Sequence, residues 1–246
     1  MHKIKIINLK DRKDVLVSVI IPTFNGEIFL EECLSALKNQ TIKNYEIIVS
    51  DGDSEDNTLK IAKRYADKIV ISNKRGVAYQ QNNGLELAKG NIILFVHQDV
   101  ALAPNYIESA VNAINQGYIL GKAKTLPKGN SSILKTFYII NNFFEDLASR
   151  HNTFMGFTHF FGKRDLFVKN KFRQELYWDI DMLKRVKKNG KMVFLKNTYG
   201  KSLDFVNEDG RNIVLFRDKK VSFWRILIIR YLLLGALSRF GFKFKH

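Results

Sequence analysis

Asn91-Ile92-Ile93-Leu94-Phe95-Val96-His97-Gln98-Asp99 is an apolar run that stops abruptly in His-x-Asp. A short, uninterrupted apolar run of this kind reads as a strand buried on both faces, the signature of a parallel sheet. Open α/β sheets bind ligands outside the carboxyl ends of such strands. An Asp at that end, with an imidazole two residues before it, points to a divalent ion held against a phosphate.

The flanking sequence repeats the same grammar. Val17 to Pro22 is a β-branched run stopped by proline, and Tyr45 to Ser50 is a second apolar strand. Lys68 to Ile71 is a short third one. Between them, Glu27 to Asn39 carries Leu30, Cys33, Leu34 and Leu37 at helical spacing, and Leu59, Ala62 and Tyr65 mark a second helix with Ser54 as its expected N-cap. A third helix is predicted from Val77 to Ala88, closed by Gly90, and a fourth from near Pro104. Strands alternating with helices imply parallel strands joined by crossovers. The second half is less regular. It predicts helices over Ser131–Ala148 and Asp179–Asn189, with Gly190 as a stop, and a strand over Lys191–Leu195.

The chain has 246 residues, a formal charge of +16 and one cysteine. That charge calls for anionic partners: phosphorylated substrates, anionic lipid or nucleic acid. A single cysteine excludes an intrachain disulfide, and Cys33 falls on an apolar helix face, so it reads as a core residue. The N-terminus has no secretory pattern, and a cytoplasmic location is expected. Trp224 to Phe240 is apolar around the helical circumference, but Arg230 at its middle argues against a transmembrane span. Two readings remain for residues 221–246: a helix packed on the domain, or an interfacial helix that places the chain at the cytoplasmic face of an anionic membrane.

Several polar clusters share the strand ends. They are Thr23-Phe24-Asn25 after the first strand, Asp51-Gly52-Asp53 after the second, Arg75 after the third and His97-Gln98-Asp99 after the fourth. Each alone has a bland explanation. Asp-Gly is a common turn, and Asn25 could serve as a helix cap. Together they place acids, an imidazole and a guanidinium on one edge, a set suited to a nucleoside diphosphate with a metal.

These segments, read in order, resemble a known family. Ser18–Asn25, Glu46–Ser54, Asn82-Asn83-Gly84 with Ala88-Lys89-Gly90, and Leu94–Asp99 look like a family 2 glycosyltransferase of the GT-A fold. The resemblance implies a mixed, mainly parallel α/β sheet flanked by helices, a nucleotide-sugar donor (UDP- or GDP-linked), Mn²⁺ or Mg²⁺, and inversion at the anomeric carbon. It implies that Pro22, Thr23 and Asn25 line the nucleotide site, together with Asp51, Asp53 and Arg75. Asp99 matches the family's metal-binding acid. His97 stands where an Asp is usual, as a second ligand or as a contact to diphosphate or ribose. Gly52 replaces the usual second acid after the second strand, and Asp53 follows one place later.

Further along, Lys163-Arg164-Asp165-Leu166-Phe167 and Trp178-Asp179-Ile180-Asp181-Met182 resemble the family's Arg-Arg-x-x-Phe and Glu-Asp-x-Asp-Leu elements. The resemblance makes Asp179 the general base. Trp178 replaces the family's Glu, with Asp181 or Glu175 able to compensate. His159 reads either as a phosphate or acceptor contact or as a satisfied core residue. The expected organisation is a transferase domain over residues 1–220, with a donor half about 15–117 and an acceptor half about 118–220, followed by a helical tail. The acceptor is a glycan or lipid-linked hydroxyl. A nucleotidyltransferase would need a glycine-rich basic loop after the first strand, which Thr23–Glu27 is not. A decayed sugar-nucleotide-binding module and a nucleic-acid binder are the non-catalytic alternatives. The latter lacks a stripe of Arg alternating with aromatics.

Overall fold

The structure is a computed structural model that describes residues 3–128, 132–154, 158–174, 178–203, 205–208, 211–216 and 219–222. Its centre is a nine-stranded sheet in the order β1-β4-β3-β2-β5-β8-β7-β9-β6. The strands are β1 (Ile4–Asn8), β2 (Val17–Thr23), β3 (Tyr45–Asp51), β4 (Lys68–Ser72), β5 (Ile92–Val96), β6 (Val100–Leu102), β7 (Leu120–Pro127), β8 (His159–Lys163) and β9 (Met192–Ser202). β4, β3, β2 and β5 are mutually parallel, with Thr23 opposite Asp51 and Val19 opposite Leu94. β8 runs antiparallel to β5 and β7, and β7 pairs parallel with β9.

The helices are α1 (Leu30–Lys38), α2 (Thr58–Tyr65), α3 (Val77–Leu87), α4 (Tyr106–Asn115), α5 (Ser132–Ser149), α6 (Arg164–Lys169) and α7 (Trp178–Val186). Alternating strand residues feed two cores. Val19, Ile21, Ile47, Val49 and Leu94 pack with α1, α2 and α4, while Ile20, Ile48, Ile93 and Phe95 pack with α3, α6 and α7. Burial on both faces is why these strands read as continuous apolar runs rather than alternating ones.

Several motif residues turn out to build this frame. Glu46 accepts hydrogen bonds from Ser18 Oγ (2.7 Å) and the Lys89 amide (2.7 Å) and pairs with Lys68 (2.8 Å), while Ser18 Oγ accepts from the Gly90 amide (2.8 Å). A Cβ on Gly90 would lie 2.6 Å from the Ser18 nitrogen. Gly90 is thus required by close backbone approach, not as the helix stop the pattern suggested. Ser54 likewise does not cap α2, which begins at Thr58; the Asp56 carboxylate takes the Thr58 amide (2.9 Å) instead.

Strands β1, β6, β7 and β8 were not read from the pattern, and β9 runs well past the predicted Leu195. A separate antiparallel sheet, β10 (Phe205–Glu208), β11 (Arg211–Phe216) and β12 (Lys219–Ser222), follows. Val221 and Ser222 therefore lie in a strand rather than at the start of the expected tail helix. The rest of the tail, including Trp224, Arg230 and Phe240, lies outside the described residues, as does Glu175. Among the described residues no helix is long and apolar enough to cross a membrane.

Candidate active site

The carboxyl ends of β2, β3 and β5 bring three loops together. Asp51 sits at the centre of the first two with no exposed surface. Its Oδ2 accepts from Thr23 Oγ1 (2.8 Å) and Ser54 Oγ (2.6 Å), and its Oδ1 accepts from the Ser54 amide (2.8 Å). Ser54 Oγ also accepts from the Asn25 amide (2.9 Å), and Asn25 Oδ1 accepts from the Glu55 amide (3.1 Å). Asn25 and Asp53 hold positive φ, 44° and 66°, which Asn and Asp tolerate better than most residues. Pro22, Thr23 and Asp51 are thus enclosed in the loop framework, while Asn25 is partly exposed and Asp53 faces solvent. The structure gives the first three a supporting place rather than an open lining.

Arg75 lies across this framework. Its Nε donates to the Gly52 carbonyl (3.3 Å), its guanidinium stands 4.4 Å from the Phe24 ring centroid, and it reaches Glu55 at 3.4 Å. The side chain remains about half exposed, a cation over an aromatic face at the mouth of the site. Gln98, which the sequence reading passed over, ties the loops together. Its Oε1 accepts from the Phe24 amide (3.0 Å) and its Nε2 donates to the Phe24 carbonyl (3.3 Å). A Cβ on Gly26 would collide with it.

His97 and Asp99 flank Gln98 in a tight turn, in which the Val100 amide returns to the His97 carbonyl (3.1 Å). Among the described residues, Asp99 Oδ1 is buried without a hydrogen-bond partner. Burial pushes this carboxyl above the usual carboxylate range. An orphaned buried carboxylate oxygen is costly unless something else meets it. A divalent cation is one such group. No cluster of three or more His, Cys, Asp or Glu residues among the described residues could hold an ion alone. An ion here needs further oxygens, which a diphosphate carries.

The acceptor half closes on this turn through aromatic packing. The Trp178 ring, opening α7, lies 6.5 Å from the His97 ring and packs on Phe172 (5.4 Å, edge-on) and Phe160 (6.3 Å). Phe172 is in turn fixed to α3 by two hydrogen bonds to Asn82, Nδ2 to carbonyl at 2.8 Å and amide to Oδ1 at 3.0 Å. Asp179, next to Trp178, is half-buried in the first turn of α7, and its Oδ1 accepts from the Ile180 amide (2.9 Å). Asp181 is engaged by Arg185 (2.8 Å) and Arg173 (3.5 Å).

His159 is fully buried between the Tyr106 hydroxyl (2.8 Å) and Thr125 Oγ1 (3.2 Å), a core residue rather than a phosphate contact. Burial, then the charge of Lys122, holds its imidazole well below the ordinary range. Lys163 pairs with Ile92, at the far end of β5 from His97, so the Lys163-Arg164 element stands away from the site. Cys33 is buried against the His97 carbonyl, and burial raises its thiol pKa, as expected of a core residue.

Comparison with known proteins agrees with this architecture. The sequence profile described as Glycosyl transferase family 2 matches residues 18–170. The GalNAc(5)-diNAcBac-PP-undecaprenol beta-1,3-glucosyltransferase of Campylobacter jejuni is 33% identical over 125 residues, 47% of this chain and 40% of that protein. The poly(ribitol-phosphate) beta-glucosyltransferase of Bacillus spizizenii is 39% identical over 92 residues, 34% of this chain and 14% of that protein. The matched region spans two-fifths or less of these relatives. Among solved structures, mannosyltransferase PcManGT from Pyrobaculum calidifontis, in complex with GDP-Man and Mn²⁺, superposes with a TM-score of 0.67 at 17% identity, covering 97% of this chain and 67% of that one. The fold is of the GT-A type, and the chain belongs to glycosyl transferase family 2.

Proposed function

We propose that this chain transfers a sugar from a UDP- or GDP-linked donor to a hydroxyl of a phosphate-bearing glycan or lipid-linked acceptor, with inversion at the anomeric carbon. The observation that carries the reading is the meeting of two distant sequence elements: His97, at the strand end that presents Asp99, and Trp178, at the helix start that presents Asp179. The two relatives named above act, by their names, on an undecaprenyl diphosphate-linked glycan and on a poly(ribitol phosphate), both anionic. The charge of +16 suits acceptors of that kind.

In this reading residues 15–117 bind the donor and residues 118–220 the acceptor. Asp51, Thr23 and Pro22 shape the loop that receives the nucleoside, and Asn25, Asp53 and Arg75 face it. Asp99, with His97 as second ligand or as a diphosphate contact, would hold a divalent cation, Mn²⁺ or Mg²⁺. When bound, that ion would neutralise negative charge on the leaving diphosphate. Asp179 accepts the acceptor hydroxyl proton. The acceptor oxygen forms a bond to the anomeric carbon while the bond from that carbon to the diphosphate oxygen breaks, and the leaving group takes the electron pair. Attack opposite the leaving group inverts the centre in one displacement, and no enzyme nucleophile is needed.

The test is nucleoside diphosphate release across a panel of UDP- and GDP-sugars with Mn²⁺ and an acceptor. Asp179→Ala is expected to slow transfer by about 10²- to 10⁴-fold, the usual worth of a general base, with donor binding retained. A full transfer rate in that variant would remove Asp179 from the mechanism.

A further inference from the structure

Helix α5 carries an apolar stripe that nothing in the described structure covers. Ile139, Ile140, Phe143, Phe144 and Leu147 are 69, 51, 64, 46 and 43% exposed. They recur at i, i+1, i+4, i+5 and i+8, so they form one continuous face. The opposite face is anchored: Leu134 and Tyr138 are buried, and Glu145 forms a buried ion pair with Lys122 of β7 (2.8 Å). A helix this well anchored has no folding reason to present two phenylalanines and two isoleucines to water, and contiguous patches of this kind mark interaction surfaces.

Charge indicates what covers it. The helix has two acids. Glu145 is consumed by Lys122, and Asp146 is held by both Arg150 (3.2 Å) and Lys196 (2.8 Å), whose side chains are 66 and 62% exposed. Two exposed cations thus stand against one acid at this border. The stripe is therefore bordered by net positive charge. A second copy of this chain, at +16, meets it with the same sign. The occupant that complements both the apolar stripe and the cationic border is an anionic bilayer surface.

We propose that α5 docks the protein on an anionic membrane, with Ile139, Ile140, Phe143, Phe144 and Leu147 inserted at the headgroup–acyl boundary and Arg150 and Lys196 against lipid phosphates. The helix lies in the interface and does not cross the bilayer. This goes beyond sugar transfer and stands independently of it, because vesicle binding needs no donor. It places the acceptor half against the surface from which a lipid-linked acceptor would be presented.

The test uses the full chain with phosphatidylcholine vesicles, with and without phosphatidylglycerol. Cosedimentation is expected only with phosphatidylglycerol, and is expected to weaken as salt rises. The double variant Phe143→Ser, Leu147→Ser is expected to lower partitioning by roughly tenfold or more, because both side chains supply buried apolar area. A second variant covers the case in which that one misfolds. Phe143→Cys, carrying an environment-sensitive nitrobenzoxadiazole label, can be modified selectively because Cys33 is buried. Its emission is expected to shift to the blue and to become shielded from aqueous quencher when phosphatidylglycerol vesicles are added. Unchanged vesicle binding in the double variant overturns the proposal. So does a label that stays wet on bound protein, or one already shielded without vesicles. Conversion of a dimer to a monomer by the double variant, without loss of vesicle binding, assigns the face to a second copy and overturns it as well.

Discussion

Replacing Asp51 by Ala separates two roles that look alike in a sequence. As built, the carboxylate has no exposed surface and accepts three hydrogen bonds, from Thr23 Oγ1, the Ser54 amide and Ser54 Oγ. Removing it orphans those donors and leaves a small void. Each buried unsatisfied donor costs about 1–3 kcal/mol, but Ser54 is only half-buried, so water recovers part of its share. A net loss of about 3 kcal/mol follows, and at about 2–3 kcal/mol per molar urea the unfolding midpoint falls by about 1–1.5 M. Asn25 is tied to the same network through Ser54, so the loop facing the nucleotide loosens and donor affinity falls with stability. Urea unfolding followed by fluorescence, run beside a nucleotide titration, measures both. An unchanged midpoint together with abolished nucleotide binding would refute the reasoning and make Asp51 a direct ligand.

Other perturbations give equally definite expectations. Glu145→Ala leaves Lys122 buried without its carboxylate and is expected to cost about 3–5 kcal/mol in urea unfolding, while Lys122→Met with Glu145→Leu recovers most of that loss. Gly90→Ala places a Cβ 2.6 Å from the Ser18 nitrogen, where neither backbone can yield; a cost of about 2 kcal/mol should lower Tm by roughly 4–8 °C. His159 is held neutral in the fold, while the unfolded chain takes up its proton near pH 6.5. The unfolded state therefore binds the extra proton below that pH, and stability should fall there with a limiting slope of about 1.4 kcal/mol per pH unit. Urea midpoints at pH 7.5 and 5.5 check this, and His159→Gln should flatten the dependence.

The parallel core was legible because strands buried on both faces leave an unmistakable apolar run, as in Ile92–Val96. Periodicity also located α5 and α7 to within a residue or two at their starts. What escaped were elements whose reasons are long-range. β1 is an edge strand with Ile4 and Ile6 half exposed, β6 has three residues, and β8 is defined by its antiparallel partners. Within the site, the strand-end clusters were legible as a group, but the division of labour was not. Asp51 reads as a ligand, and the pattern gives no sign that its carboxylate is enclosed by Thr23 and Ser54. Gln98 looked like a spacer and is the clamp between two loops. Trp178 looked like a lost acid and is the aromatic contact that brings α7 to His97. No single-sequence signal marks a side chain whose partner lies 74 residues away.

The central claim is that Asp99 meets a cation and, through it, a nucleoside diphosphate. Calorimetric titration of UDP and GDP into the wild type and Asp99→Asn, with and without Mn²⁺, tests it most directly. The account predicts that Mn²⁺ tightens wild-type binding of one of the two nucleotides by at least about tenfold and that Asp99→Asn abolishes that gain. Binding that ignores both Mn²⁺ and the substitution would contradict it.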